Sequence, residues 1–89
     1  LGGRAYKWVS PGNDGVPDRI VILPGEPPYF VELKSESGRL SALQAVQIDR
    51  LRSMGQAVFV ARGIDGLSQF FQDIGHEETS KALDCRYGL

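Results

Sequence analysis

Residues 17–34 read PDRIVILPGEPPYFVELK, and they contain the clearest structural pattern in the chain. Two runs rich in β-branched and aromatic residues, 19–23 and 29–34, predict β-strands. The proline- and glycine-rich residues 24–28 between them predict a tight connection. Two strands joined this closely predict an antiparallel hairpin.

Three charged residues lie in or beside these apolar strands. Side chains alternate between the faces of a strand, so Glu32 and Lys34 point the same way. A turn centred near Glu26 gives cross-strand pairs whose residue numbers add up to about 52, with Asp18 opposite Lys34 and Ile20 opposite Glu32. The two carboxylates then lie within about 8 Å of each other, whereas a slip of one residue would move Asp18 to the other face.

Two carboxylates and a lysine suit the hydrolysis of phosphodiester bonds. Asp18 and Glu32 offer the oxygen ligands that Mg²⁺ or Mn²⁺ prefers, and such an ion polarises phosphate and lowers the pKa of a bound water. Lys34 can orient that water and offset the charge of the transition state. The alternative is an ion-pair group on an exposed strand face, and the spacing alone does not decide between the two.

The flanking sequence extends the hairpin to a β-β-β-α-β-α order, which predicts a mixed sheet flanked by helices. The helix that opens at Ser41 and the strand after it predict a right-handed crossover to a parallel neighbour. The residues after 74 are polar, and their pattern predicts neither a helix nor a strand. The additional elements are a strand at 4–10, a helix from 41 to about 54 that Gly55 caps, a strand at 56–61 and a helix at 65–74.

Length and composition indicate one soluble domain spanning residues 1–89. Two separate cores do not fit in so short a chain, and no apolar run approaches the roughly 20 residues of a membrane span. The single cysteine, Cys85, forms no internal disulfide, which favours a reducing compartment such as the cytoplasm. The formal charge is −1, but residues 1–55 hold seven Lys or Arg against six Asp or Glu, which weakly favours a polyanion site there.

Three segments together closely resemble the VRR-NUC family of the PD-(D/E)xK nuclease superfamily. They are GVPDR at 15–19, FVELK at 30–34 and GRLSALQ at 38–44. Gly2-Gly3 and Lys7-Trp8 are similar to the opening segment of that family, so the resemblance runs from about residue 2 to residue 61. It implies an α/β, restriction-endonuclease-like fold.

The resemblance also implies an active centre. It assigns metal binding to Asp18, Glu32 and the backbone carbonyl of Leu33, and catalysis to these carboxylates together with Lys34 and Gln44. The implied protein is a Mg²⁺- or Mn²⁺-dependent DNA endonuclease of phage or bacterial type, acting in the cytoplasm. Small members of the family resemble Holliday-junction resolvases and form homodimers, so branched DNA is the expected partner.

One departure from the family concerns the start of the chain. The family has a helix before the first strand that supplies another acidic residue, whereas only residues 1–3 precede the strand here and no acid precedes Asp14. We therefore expect weak metal binding, since fewer anionic ligands lower affinity for hard cations. Glu36 is an even number of residues from Glu32 and so has the same side-chain direction, which makes it the candidate to replace the missing acidic residue. The alternative function is a DNA-binding or assembly module that keeps the nuclease fold with reduced or no activity.

Several residues have two interpretations. Ser41-x-x-Gln44 is a capping box, so Gln44 either caps the helix or reaches the active centre. The aromatic side chains near the strands either pack in the core or stack on bases. The apolar face of the last helix forms core or a dimer interface, and basic residues bind phosphates or simply face solvent. The aromatic residues are Tyr6, Trp8 and Phe30, the helical ones Leu67, Phe70, Phe71 and Ile74, and the basic ones Lys7, Arg19 and Arg39.

Overall fold

The computed structural model describes residues 2–76 and confirms the predicted order of elements. Strands β1, β2, β3 and β4 lie side by side in one sheet in that order. β1 pairs antiparallel with β2 and β2 with β3, whereas β3 and β4 are parallel across the α1 crossover. The elements are β1 Arg4–Lys7, β2 Arg19–Ile22, β3 Tyr29–Lys34, α1 Ala42–Ser53, β4 Ala57–Arg62 and α2 Gly63–Asp73.

The register of the β2–β3 hairpin corrects one prediction. Each pair has residue numbers that add up to 50, as in Ile20 opposite Phe30, so the predicted pairing of Asp18 with Lys34 is wrong by two residues. The turn is centred on Gly25, because the Glu26 N–H donates to the Leu23 carbonyl at 3.2 Å and Gly25 has φ of 74°. The sum is even, as in the predicted register, so Asp18 and Glu32 lie on the same face of the sheet.

Helix α1 begins and ends where its sequence predicts. Ser41 caps the N-terminus, and the carboxyl end passes into Gly55, whose φ of 81° few other residues adopt at low cost. The helix buries Ile48 and packs against β4, where the Arg52 guanidinium donates two hydrogen bonds to the Val58 carbonyl, at 2.8 and 3.3 Å. It lies on the face of the sheet that carries Glu32.

Helix α2 covers the opposite face and completes the core. Phe70 is 2% exposed and packs with Val31 and Ala61. Its ring meets those of Tyr29 and Phe59 edge to face at 5.8 and 5.0 Å, a favourable arrangement for aromatic rings. The remaining apolar residues of the helix, Leu67, Phe71 and Ile74, pack against the same cluster. The apolar face of α2 thus packs inside the chain, with Leu67, Phe71 and Ile74 partly exposed, and a role for these residues in a dimer stays a prediction.

Two elements have an end that differs from prediction by two residues or more. β1 stops at Lys7 rather than residue 10, because the turn formed by the Asn13 N–H and the Ser10 carbonyl, 3.0 Å apart, redirects the chain. α2 starts two residues early, at Gly63. No helix within residues 2–76 has the length and apolar character to cross a membrane. Cys85, on which the expected reducing compartment depends, lies outside the described residues.

Candidate active site

The candidate catalytic residues meet at the end of the hairpin. Asp18 directly precedes β2, and extending the register by one residue puts it opposite Glu32 on β3. Lys34, two residues further along β3, projects from the same face. Gln44 reaches them from the first turn of α1. Residues from three elements of the fold therefore converge on one carboxylate.

Glu32 is the buried centre of this group. The residue is only 4% exposed, and its Oε2 accepts a hydrogen bond from Gln44 Nε2 at 3.2 Å and lies 3.7 Å from Lys34 Nζ. Burial raises the pKa of Glu32 above its ordinary value, and the negative charge of Asp18 raises it further, while Lys34 acts in the opposite direction. A buried carboxylate beside a second one is a common feature of functional sites.

Asp18 is held in place by all three antiparallel strands. Its Oδ1 accepts the Leu33 N–H at 3.0 Å, and its backbone carbonyl accepts the Trp8 N–H at 2.9 Å. The Arg19 guanidinium donates to that same carbonyl at 2.9 Å and lies 3.9 Å from Asp18 Oδ2. The carboxylate is nevertheless 37% exposed, so it remains open to a ligand from solvent.

The backbone of Leu33 also faces the site. The N–H and C=O of one strand residue point to the same side of the strand. Because the Leu33 N–H donates to the Asp18 carboxylate, the Leu33 carbonyl is directed to the side of β3 where Asp18 lies. This orientation agrees with the carbonyl ligand that the family resemblance implies.

Gln44 caps α1 and also contacts Glu32, and its part in catalysis stays a prediction. Its Oε1 accepts the Ser41 N–H at 2.9 Å, and its N–H donates to Ser41 Oγ at 3.1 Å, which completes the capping box. The amide nitrogen Nε2 remains available and donates to Glu32. The two ends of one amide thus tie the start of α1 to the buried carboxylate.

Gly15 has a role that the sequence patterns did not reveal. It has φ of 90°, and a Cβ added there would lie 2.6 Å from the Leu43 carbonyl carbon and 2.8 Å from Gln44 N. The loop before Asp18 therefore packs directly on the first turn of α1, with no room for a side chain. The only indication of this contact in the sequence is the glycine that opens the segment GVPDR.

The predicted phosphate-binding residues lie away from the buried centre. Lys7 pairs with Arg19, and Arg19 pairs with Val31, so both basic side chains leave the sheet on the face opposite Glu32. Only Arg19 turns back towards Asp18. Arg39 is exposed in the segment between β3 and α1. Binding of phosphates by these three residues stays a prediction.

Glu36 lies beside the first residue of α2. Its Cγ is 2.7 Å from the point where a Cβ on Gly63 would stand, which puts it at the N-terminus of α2. A carboxylate is favourable there because the helix dipole presents positive charge. This position gives Glu36 a structural explanation that is independent of the active centre.

The donor set suits a hard cation but is small. Within residues 2–76 there is no group of three or more His, Cys, Asp or Glu side chains placed to hold a metal. Asp18, Glu32 and the Leu33 carbonyl are all oxygen donors, as Mg²⁺ and Mn²⁺ require. The repulsion that raises the pKa of Glu32 is one that a bound cation would relieve. The residues therefore fit such an ion with two anionic ligands.

Comparison with known proteins identifies relatives of this chain. No family model matches it. A protein of Acyrthosiphon pisum secondary endosymbiont phage 1, named "Putative nuclease p44", is 45% identical over 60 residues. The match covers 67% of this chain and 64% of the phage protein, which is less than two thirds of that relative's length. A solved structure described as a VRR_NUC domain is 38% identical, with a TM-score of 0.65 over 70% of this chain and 68% of the other.

Proposed function

This chain belongs to the VRR-NUC family, and on that premise we propose that it is a metal-dependent DNA endonuclease that hydrolyses phosphodiester bonds. The observation that carries the proposal is the convergence of Asp18, Glu32, Lys34 and Gln44 from three elements. Burying a carboxylate beside a second one costs folding free energy, and perturbed groups of this kind cluster at functional sites. The alternative of an exposed ion-pair group does not account for the burial of Glu32.

Each residue has a part in the proposed reaction. Asp18, Glu32 and the Leu33 carbonyl would hold the cation, whose chemistry there would be to polarise the phosphate and lower the pKa of a water. Lys34 presents its ammonium group to the phosphate oxygens and offsets the charge that develops on them. Gln44 fixes the orientation of Glu32, a type of support on which ligand carboxylates commonly depend.

Cleavage assays on branched DNA with Mg²⁺ or Mn²⁺ test the function. We expect Lys34→Ala to reduce cleavage at least about 100-fold, as removal of a charge-stabilising group does, while DNA binding stays close to wild type. Arg50→Ala is the matched control, because it removes an exposed positive charge from the far end of α1. Wild-type cleavage by Lys34→Ala would remove the lysine from the mechanism.

Metal binding is tested separately by calorimetry with Mn²⁺. We expect weak binding by the wild type, since the donor set has two anionic ligands, and weaker binding still by Asp18→Asn. Equal affinity in both proteins would count against the assignment. The second candidate function is a DNA-binding or assembly module with reduced or no activity. Binding of branched DNA without cleavage at any metal concentration would favour that module.

The preferred substrate and the assembly state are parts of the same proposal. A junction-cutting enzyme places two symmetric cuts, and a two-fold dimer supplies that symmetry. We propose that the protein acts in the cytoplasm as a homodimer on branched DNA, without a membrane partner. Light scattering should report about twice 9.8 kDa, the mass of one chain. A monomer mass together with cleavage of branched DNA would show that dimerisation is not needed.

A further inference from the structure

Aromatic side chains lie beside the carboxylates on the same face of the sheet. The Trp8 N–H donates to the Asp18 carbonyl at 2.9 Å, which continues the β1–β2 ladder and places Trp8 next to Asp18. In the adjacent row Tyr6 is opposite Ile20, which is in turn opposite Phe30. The rings of Trp8 and Phe30 are in contact, with centroids 5.3 Å apart and planes tilted by 49°. We call Tyr6, Trp8 and Phe30 the aromatic strip.

The outer part of this face is open to solvent in the described structure. Helix α1 packs against β4, and all four residues of β1 are exposed. Tyr6 is 54% exposed, and Ile22 next to it on the same face is 42% exposed. Two neighbouring apolar side chains are therefore exposed on the face that carries the candidate active site.

Charged groups lie at both ends of the strip. Arg4 is exposed and pairs with Ile22, so its side chain leaves the sheet on the same face. At the other end the carboxylates of Asp18 and Glu32 adjoin the strip, and Lys34 lies beyond them, paired with Glu32 at 3.7 Å. An exposed cation such as Arg4 beside aromatic rings matches a nucleic acid strand, whose phosphates contact the cation while its bases stack on the rings. A duplex keeps its base faces inside its own stack, so only unpaired nucleotides offer them.

We propose that the aromatic strip binds unpaired bases next to the scissile phosphate, and that the protein prefers substrates with single-stranded nucleotides beside the cut to continuous duplex. Phe30 and Glu32 are two residues apart on β3, which is about 7 Å at the rise of an extended strand. A base stacked on the strip therefore lies about two base steps from the carboxylates. The position of the cut rests on the proposed nuclease function, whereas base binding does not.

The test uses the fluorescence of Trp8, the single tryptophan of the chain. The probe is a short oligothymidylate, titrated into the full chain in EDTA so that no cleavage occurs. An abasic oligomer of the same length and charge is the control for phosphate binding. We expect thymidylate to quench Trp8 and the abasic oligomer to leave its emission unchanged, because only the bases stack.

Variants of Tyr6 separate stacking from folding. Tyr6→Ala should bind thymidylate roughly five- to tenfold more weakly, the lower range for loss of one stacked base, and Tyr6→Phe should bind like wild type. Met54→Ala is the matched control, since Met54 is 66% exposed at the distant end of α1. Circular dichroism confirms that the variants fold.

Three results would overturn the proposal. Equal quenching by abasic and thymidylate oligomers would show that backbone charge alone is bound. Wild-type thymidylate affinity in Tyr6→Ala would show that the ring makes no contact. A change of oligomeric mass in Tyr6→Ala without a change in thymidylate binding would show that a second copy covers the strip. Base-dependent quenching without cleavage of any substrate would uphold the strip and reject only the nuclease function.

Discussion

Gln44→Met tests whether one side chain both caps α1 and positions Glu32. Methionine keeps the length of the side chain but has no amide to accept from Ser41 or to donate to Glu32. The hydrogen bond from the Ser41 N–H is exposed and contributes about 1 kcal/mol, and one to a charged acceptor contributes about 1.5–3 kcal/mol. At 3.2 Å the latter belongs at the lower end of that range. We therefore expect Gln44→Met to lower the free energy of unfolding by about 2.5 kcal/mol.

Urea unfolding at neutral pH measures this loss, and cleavage assays report on the site. Ser41→Ala is the control, because it removes only the hydroxyl that accepts the Gln44 N–H, worth about 1 kcal/mol, and leaves the contact with Glu32 in place. We expect Ser41→Ala to cleave like wild type and Gln44→Met to lose roughly 10- to 100-fold, as when the support of a metal ligand is removed. Equal stability losses in the two variants, or wild-type cleavage by Gln44→Met, would refute the dual role.

Three further predictions concern stability. Phe70→Ala should lower the free energy of unfolding by about 3–5 kcal/mol, because it empties the most aromatic part of the core; wild-type stability in urea would contradict this. Gly15→Ala should destabilise the protein more than Gly12→Ala, since both have positive φ but only Gly15 touches α1; equal melting temperatures would rule that contact out. The hydrogen bond from Tyr29 lowers the pKa of Glu26, so its stabilising effect is complete above the ordinary value of 4.5 and is lost as pH falls through the lowered pKa. The difference in unfolding free energy between wild type and Glu26→Gln should accordingly shrink between pH 7 and about pH 3, and a constant difference would contradict the linkage.

The β2–β3 hairpin has some features that the sequence predicts and one, its register, that the sequence does not predict. The bounds of β3 and the shared face of Asp18 and Glu32 are predictable, because alternation depends only on residue spacing. The register is not predictable in this way, because residues 24–28 contain three prolines and a glycine and are compatible with several turns. Pro24 and Gly25 form the turn because proline favours its first central position and glycine allows the positive φ of its second, typical of a type II turn.

Contacts between distant segments are the other part that the sequence does not reveal. Ser41-x-x-Gln44 identifies a capping box, but nothing in that motif shows that the amide nitrogen of Gln44 reaches Glu32. Gly15 belongs to a recognisable motif, yet its packing on α1 depends on the tertiary arrangement. The same holds for α2, whose apolar face suggests either core or interface until the packing of Phe70 is seen.

The bond between Gln44 and Glu32 has a consequence for the synthesis of this protein in a cell. Chains emerge from the ribosome amino end first, so the hairpin with Asp18 and Glu32 is complete before α1 leaves the exit tunnel. Until then Glu32 lacks the group that orients it, and a fragment that ends between β3 and α1 lacks it permanently. On the proposed nuclease function, unfinished chains and proteolytic fragments of this kind lack the residue that positions Glu32, and we expect them to cleave DNA more weakly than the folded chain.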